Sequence, residues 1–352
     1  PVDEEPLLDA SLMELAKWIS RYYVCPLGQV LSAIVPSAVK RKAGTRKQSY
    51  VFLGSGYQRY VSAVKGRKQK AIISYLEDRR AFNSDSAVLR GELLSDCGCS
   101  AAPFKSLVHK KIIITETRQE MHLSASLPDT GAIQRERVCL NEDQLRCLES
   151  INGRIESGQF AVTLLHGVTD SGKTEVYIRA IENVLDRGRK AIVLLPEIAL
   201  TAQTIQRFNA RFENIAVMHS GLTAAQRNFQ WQRVKSGEAD VVIGARSAVF
   251  APLRDIGLIV VDEEHEPSYK QDTVPRYNAR DIAVKRAQLY NAHCILGSAT
   301  PSLESLFNTE KREHFDIVHL PRRVMDLPPP EMKIVDLKEQ KTNPSGAVLI
   351  SD

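Results

Sequence analysis

From Val138 onward the chain alternates between short apolar runs and longer amphipathic stretches. The runs fall at 161–165, 191–195, 215–218, 241–243, 258–261 and 293–296. Segments such as Gly172–Leu185 and Thr201–Phe212 lie between them and space their apolar positions as a helix does. Strands that are apolar throughout are buried on both faces. With helices between them they specify an α/β fold built on a parallel, doubly wound sheet. Chemistry in such sheets gathers at the carboxyl ends of the strands. Polar residues cluster at those ends here: His166-Gly167, Pro196-Glu197, His219-Ser220-Gly221, Gly244-Ala245-Arg246, Asp262-Glu263-Glu264-His265 and Gly297-Ser298-Ala299-Thr300.

The first third reads differently. Leu8, Leu12, Leu15, Ala16 and Ile19 share one helical face, and the helix stops before Cys25-Pro26-Leu27-Gly28. A second short helix through Gln29–Ile34 ends at Pro36. Residues 37–48 read as a basic linker. Tyr50–Leu53 and Tyr60–Ala63 predict strands, and Lys68–Glu77, Arg90–Leu94 and Ala101–Val108 predict helices. Lys110–Thr117 predicts a β-branched strand. Helix, turn, helix, strand suggests a small winged-helix-like domain over 37–120. Residues 121–137 read as a linker, 138–320 as the doubly wound lobe, and the Pro-containing 321–352 as a connector.

Composition narrows the class. A chain of 352 residues exceeds one ordinary domain. No apolar run is long enough for a membrane-spanning helix, so no membrane partner is expected. The N-terminus lacks a methionine and the profile of a signal peptide, which predicts a fragment or processed chain from the cytoplasm. Six cysteines without a CxxC pair suit buried, reduced thiols better than a zinc or disulfide framework. Net charge is only +5, but Lys40–Lys70 carries ten Lys/Arg and no acid, with Tyr50, Phe52, Tyr57 and Tyr60 interleaved. Such a stretch is either a solvated face or a nucleic-acid surface.

The chemistry sits in Phe160–Val176, FAVTLLHGVTDSGKTEV, which has the form strand, GxxxxGK[ST], helix. Backbone N–H groups of Gly167, Val168, Thr169, Asp170, Ser171 and Gly172 can cradle phosphate at the positive end of the following helix. Lys173 reaches the terminal phosphates and the Thr174 hydroxyl can hold magnesium. Asp170 is the odd member, a carboxylate in a loop built for anions. The strand at 258–261 delivers Asp262 as a magnesium holder and Glu263 to orient or deprotonate water. A metalloprotease reading of His265-Glu266 fails, because position 269 is Tyr where HExxH needs His. Gln144 has two readings, the N3 member of a capping box with Asn141 or a reader of the adenine edge. Tyr269, Lys270, Arg276, Tyr277 and Arg280 lie in SYKQDTVPRYNARD, either a single-strand DNA contact or a salt-bridged surface loop.

The segments GVTDSGKTEVY, LLPEIALTAQT, HSGLT, VIGARSAVFAP, VDEEHEPSYKQ, RYNARDIA and LGSATPSLES, in that order, resemble the superfamily-two helicase core of the replication-restart helicases of the primosomal protein N′ (PriA) family. The resemblance is strong over 138–340 and weaker over 1–120. It implies a RecA-like first helicase lobe, preceded by the end of a fork- and 3′-end-binding domain at 1–36 and a winged helix. It implies an ATP- and magnesium-dependent helicase moving 3′ to 5′ that recognises abandoned forks and single-stranded DNA. Primosome and single-strand-binding proteins would be its partners. Lys173, Asp262 and Glu263 would be catalytic, Gln144 would contact adenine, and His265, Ser298 and Thr300 would couple the site to DNA. The loop at 269–280 would sense single-stranded DNA through its tyrosines, since Pro275 stands where some relatives carry Trp. The family's second lobe and cysteine-rich zinc insert are expected only beyond this chain, so the chain alone is not expected to unwind DNA. The family's loop has Gly at position 170. Two alternatives remain: a binding scaffold whose nucleotide site Asp170 impairs, and a translocase that hydrolyses ATP without unwinding.

Overall fold

In a computed structural model, residues 6–62, 64–121 and 138–324 are described. Two helices open the chain, α1 (Ala10–Tyr22) and α2 (Leu27–Ile34), followed by the single turn α3 (Ser37–Lys40). Asp9 caps α1 by accepting from the Leu12 amide at 2.7 Å. The apolar face of α1, Leu12, Leu15, Ala16 and Ile19, is completely buried.

A small antiparallel sheet follows. β1 (Thr45–Leu53) precedes α4 (Gln58–Val61), α5 (Arg67–Asp78), β2 (Val88–Leu89), α6 (Arg90–Asp96), α7 (Ala101–His109) and β3 (Ile113–Met121), in the strand order β2-β1-β3. Val51, Leu53, Ile72, Leu76, Leu93, Phe104, Leu107 and Ile113 form its own core. Two expectations change here. The strand expected at Tyr60–Ala63 is the helical turn α4 as far as Val61, because Gly54 and Gly56 bend the chain away from β1 before it can pair again. The stretch 37–48 is no linker. α3 and the first residues of β1 occupy it, and Arg46 and Lys47 pair with residues of β3. The linker expected at 121–137 lies, from residue 122, outside the described residues.

The large sheet contains β4 (Ala161–Gly167), β5 (Lys190–Leu194), β6 (Ile215–Met218), β7 (Val241–Gly244), β8 (Ile256–Val261), β9 (His293–Ser298) and β10 (Phe315–Leu320). Its order is β10-β4-β9-β8-β5-β7-β6, with every pairing parallel. Helices α8 (Glu142–Glu156), α9 (Lys173–Asp186), α10 (Ala202–Asn209), α11 (Ala224–Ser236), α12 (Ala279–Leu289) and α13 (Leu303–Lys311) complete this lobe. Alternate strand residues feed two cores. Val162, Leu164, Ile192, Leu194, Ile259 and Val261 pack with α11, α12 and α1, whereas Leu165, Val193, Val241, Val260 and Ile295 pack with α8 and α9. The helices of residues 10–40 therefore share a core with the large lobe. Among the described residues no helix is long and apolar enough to cross a membrane. The cysteines are free: Cys25, Cys147 and Cys294 are buried, Cys97 and Cys99 half-buried, and Cys139 exposed.

β10 was not expected from the apolar pattern. Asp316 and His319 interrupt its run, and among the described residues it is an edge strand that pairs only with β4. Its consequence for the site is large, because β10 returns the chain to the phosphate loop.

One buried group sets a pH dependence. His293, at the start of β9, is 1% exposed, and neither ring nitrogen has a partner among the described residues. Burial pushes its pKa down to about 3. The unfolded chain binds this proton near pH 6.5 and the native one does not, so stability falls as pH drops below 6.5. By pH 5 the loss from this residue is about 2 kcal/mol. His293→Leu is expected to flatten the acid limb of a Tm-against-pH curve between pH 6.5 and 4. An unchanged limb would contradict the assignment.

Candidate nucleotide site

β4 ends at Gly167 and the chain turns through 168–172 into α9. Gly172 stands at the N-terminus of that helix with φ +82°, and an added Cβ would lie 2.2 Å from Gln144 Nε2. Only glycine suits both the backbone and the space. Asp170 also has a left-handed φ, +63°, and its carbonyl accepts from the Val324 amide at 3.0 Å. The family's glycine would adopt that conformation freely, and Asp tolerates it better than most residues.

Lys173 is 8% exposed; its ammonium donates to Gly167 O at 2.9 Å and lies 3.8 Å from Glu263 Oε1. The two strands that lead to these groups, β4 and β8, flank β9, so the loop and the acidic segment face each other across one strand. The acidic segment is laid over the sheet by its backbone. The Asp262 amide donates to Leu194 O and the Glu264 amide to Gly297 O, both at 3.0 Å. Glu263 has φ +45°, a conformation that costs a non-glycine residue about 1–3 kcal/mol and commonly marks a functional position.

Asp262 accepts from the fully buried Tyr177 hydroxyl at 2.9 Å. Burial, then the Glu263 charge, raise its pKa to about 6. Asp262, buried beside a second acid, makes a place for a cation, and Thr174 lines the same cleft. Asp262 and Thr174 thus fit the magnesium the family implies. The sequence signal for Tyr177 is its spacing of four from Lys173, which puts both on one helical face. Gly297 is its counterpart: a Cβ there would fall 1.6 Å from the Tyr177 hydroxyl oxygen.

Gln144 meets the capping-box reading directly. Its Oε1 accepts from the Asn141 amide and its own amide donates to Asn141 Oδ1, each at 2.9 Å. Its Nε2 also donates to Ser171 O at 2.9 Å, which ties α8 to the phosphate loop. The cleft of about 590 Å³ is lined by the loop from Thr169 to Glu175, Gln144, Asp262, Glu263, Arg207, Arg211, Arg323 and Val324.

His265 joins the acidic segment to the end of β9. Its Nδ1 is 2.8 Å from Ser298 Oγ and its Nε2 is 3.4 Å from Thr300 Oγ1. The Thr300 amide donates to Ser298 Oγ at 3.0 Å, and Glu263 Oε2 lies 3.7 Å from Nδ1. These three residues therefore form one polar chain starting beside the catalytic candidate.

The loop at 269–280 departs from the expectation of base stacking. Tyr269 is 1% exposed, and its hydroxyl donates to Asp262 O at 2.7 Å and Leu194 O at 3.1 Å. Tyr277 is 3% exposed and packs edge-on against Phe250 at 5.1 Å. Both rings fill the core, so neither presents a face to a base here. Arg280 is also turned inward, donating to Glu264 Oε2 at 3.0 Å and Ser302 Oγ at 2.7 Å. Lys270 and Arg276 remain exposed, with Lys270 Nζ 5.3 Å from the Tyr23 ring centroid.

A phosphate loop facing an Asp-Glu-Glu-His segment on a seven-stranded parallel sheet defines the ATP-binding lobe of a superfamily-two helicase. Residues 141–309 match the DEAD/DEAH box helicase family, and residues 1–36 match the 3′DNA-binding domain (3′BD) of PriA. The chain belongs to the PriA family. It is 36% identical over 349 residues to the replication restart protein PriA of Chlamydia trachomatis, covering 95% of this chain and 45% of that protein. It is 35% identical to that of Haemophilus influenzae, covering 97% and 46%. To that of Bacillus subtilis it is 39% identical, covering 78% and 34%. The chain spans less than half the length of these relatives.

Asp170 is exposed, so solvent screens its carboxylate. Asp170→Gly is expected to tighten Mg-ATP binding by no more than about fivefold, with the gain shrinking at high salt. A gain of a hundredfold in a binding titration would instead mean that Asp170 impairs the site.

Proposed function

We propose that this chain is the nucleotide-binding half of an ATP-driven DNA motor of replication restart. The observation that carries the reading is Lys173 and Glu263 meeting at 3.8 Å across the cleft beside Asp262. Lys173 and the loop amides hold the terminal phosphates. Glu263 accepts the proton of the attacking water. Magnesium, held by Thr174 and Asp262, would supply positive charge to the departing phosphates. The polar chain His265–Ser298–Thr300 leads from Glu263 to the end of β9, a route by which nucleotide state reaches bound DNA.

Movement from 3′ to 5′, recognition of forks and single-stranded DNA, and assembly with primosome and single-strand-binding proteins belong to this proposal for a full-length protein carrying the chain. The exposed Lys270 and Arg276 are its candidate DNA contacts, without the buried tyrosines. The test is ATP hydrolysis by that full-length protein with and without forked DNA. Stimulation by DNA, lost in Lys173→Ala, supports the reading, and hydrolysis indifferent to both DNA and Lys173 refutes it. Hydrolysis without strand displacement would instead favour the translocase reading.

A further inference from the structure

β10 ends at Leu320 and the chain then crosses the phosphate loop as a strap. Three bonds tie it down. Val168 donates its amide to Leu320 O at 3.2 Å, Val324 donates its amide to Asp170 O at 3.0 Å, and Arg322 Nε donates to Asp143 Oδ2 at 2.7 Å. The last bond, with Arg146 on the same carboxylate, holds the Asp143 pKa below the usual range.

The strap reaches the cleft itself. Val324 Cγ2 would stand 3.1 Å from a Cβ at Gly172, the position that also faces Gln144 Nε2. Val324 is 49% exposed, an apolar residue left beside the mouth of a polar site. Arg323 lines the same cleft and is half-buried there. Both residues lie beyond the stretch that matches the helicase family, which ends at 309.

We infer that Arg323 and Val324 form the base-side wall of the nucleotide site. Val324 packs its methyl groups against the edge of the purine, and Arg323 lays its planar guanidinium on the ring face. A guanidinium suits this because it is weakly hydrated and stacks on aromatic surfaces. Lys173 and the loop amides hold the phosphates, so the strap adds contacts that only the nucleoside end can use. The strap is bonded to Asp170 in the loop, so nucleotide binding and strap position are linked and each favours the other. The inference rests on the cleft being the nucleotide site.

The chain is titrated with Mg-ATP and separately with magnesium tripolyphosphate, which has the phosphates and no base. In Arg323→Ala/Val324→Ala, ATP affinity is expected to fall about tenfold, since stacking on a base is commonly worth that much, while tripolyphosphate affinity stays unchanged. Unchanged ATP affinity, or equal losses for both ligands, would overturn the inference. Lys173→Ala separates the two readings, because it weakens both ligands when the cleft is a nucleotide site. Binding of neither ligand by the unaltered chain would remove the nucleotide reading and this inference with it. Hydrogen exchange at the Val324 amide gives an independent readout: ATP is expected to slow it, and an unaltered rate at saturating ATP would show that the strap does not respond.

Discussion

Glu263→Gln is expected to slow ATP hydrolysis by a full-length protein carrying this chain about 10²–10⁴-fold, the usual weight of a general base. ATP binding should persist. The carboxamide keeps the shape of the side chain but cannot take the proton of the attacking water. The substitution also removes the charge that, after burial, does most to raise the Asp262 pKa. Asp262 therefore ionises more readily in the variant, which preserves a seat for magnesium. Lys173 loses an acidic neighbour at 3.8 Å, and phosphate can take that place. Single-turnover hydrolysis, alongside a binding titration, checks both halves. A rate within about threefold of the unaltered protein would assign the base elsewhere.

The second large effect concerns stability. The Glu264 side chain is wholly buried and accepts from Arg280 Nη1 at 3.0 Å, the Ser302 amide at 2.7 Å, Ser302 Oγ at 3.0 Å and Ser305 Oγ at 2.9 Å. Arg280 is the cation of this cluster. Its side chain is 15% exposed, so solvent screens the pair little. Arg280→Ala leaves a buried carboxylate with neutral donors only, a change that typically costs about 3–5 kcal/mol. For a lobe of this size the expected fall in Tm is roughly 10 °C. Had Arg280 been a DNA contact, as the RYNARD segment suggested, the variant would lose DNA affinity at constant Tm. Differential scanning calorimetry beside a DNA titration distinguishes the two outcomes.

Arg280 illustrates where sequence reading stops. The six apolar runs predicted six strands of the parallel sheet because uninterrupted burial on both faces leaves an uninterrupted pattern. The phosphate loop and the Asp262-Glu263 pair were legible for a related reason: their chemistry restricts residue types and spacing together. Whether Tyr269 and Tyr277 point to solvent or into the core is set by tertiary packing against Leu194, Asp262 and Phe250, which no local pattern records. β10 was hidden because an edge strand tolerates Asp316 and His319. The aromatic and β-branched residues of Tyr60–Ala63 suit a strand, whereas the glycines before them impose a turn. Tyr177 and Glu264 act through contacts distant in the chain, with Asp262 and with Ser302 and Ser305. Spacing alone does not reveal such contacts.

The central claim is that the cleft between the phosphate loop and the acidic segment binds a nucleoside triphosphate with magnesium. Calorimetric titration of the chain with ATP, with and without magnesium, tests it most directly. Saturable binding that requires magnesium and weakens at least tenfold in Lys173→Ala is the predicted result, in line with the loss of a charged phosphate contact. No saturable binding, or equal affinity with Lys173 removed, would contradict the account.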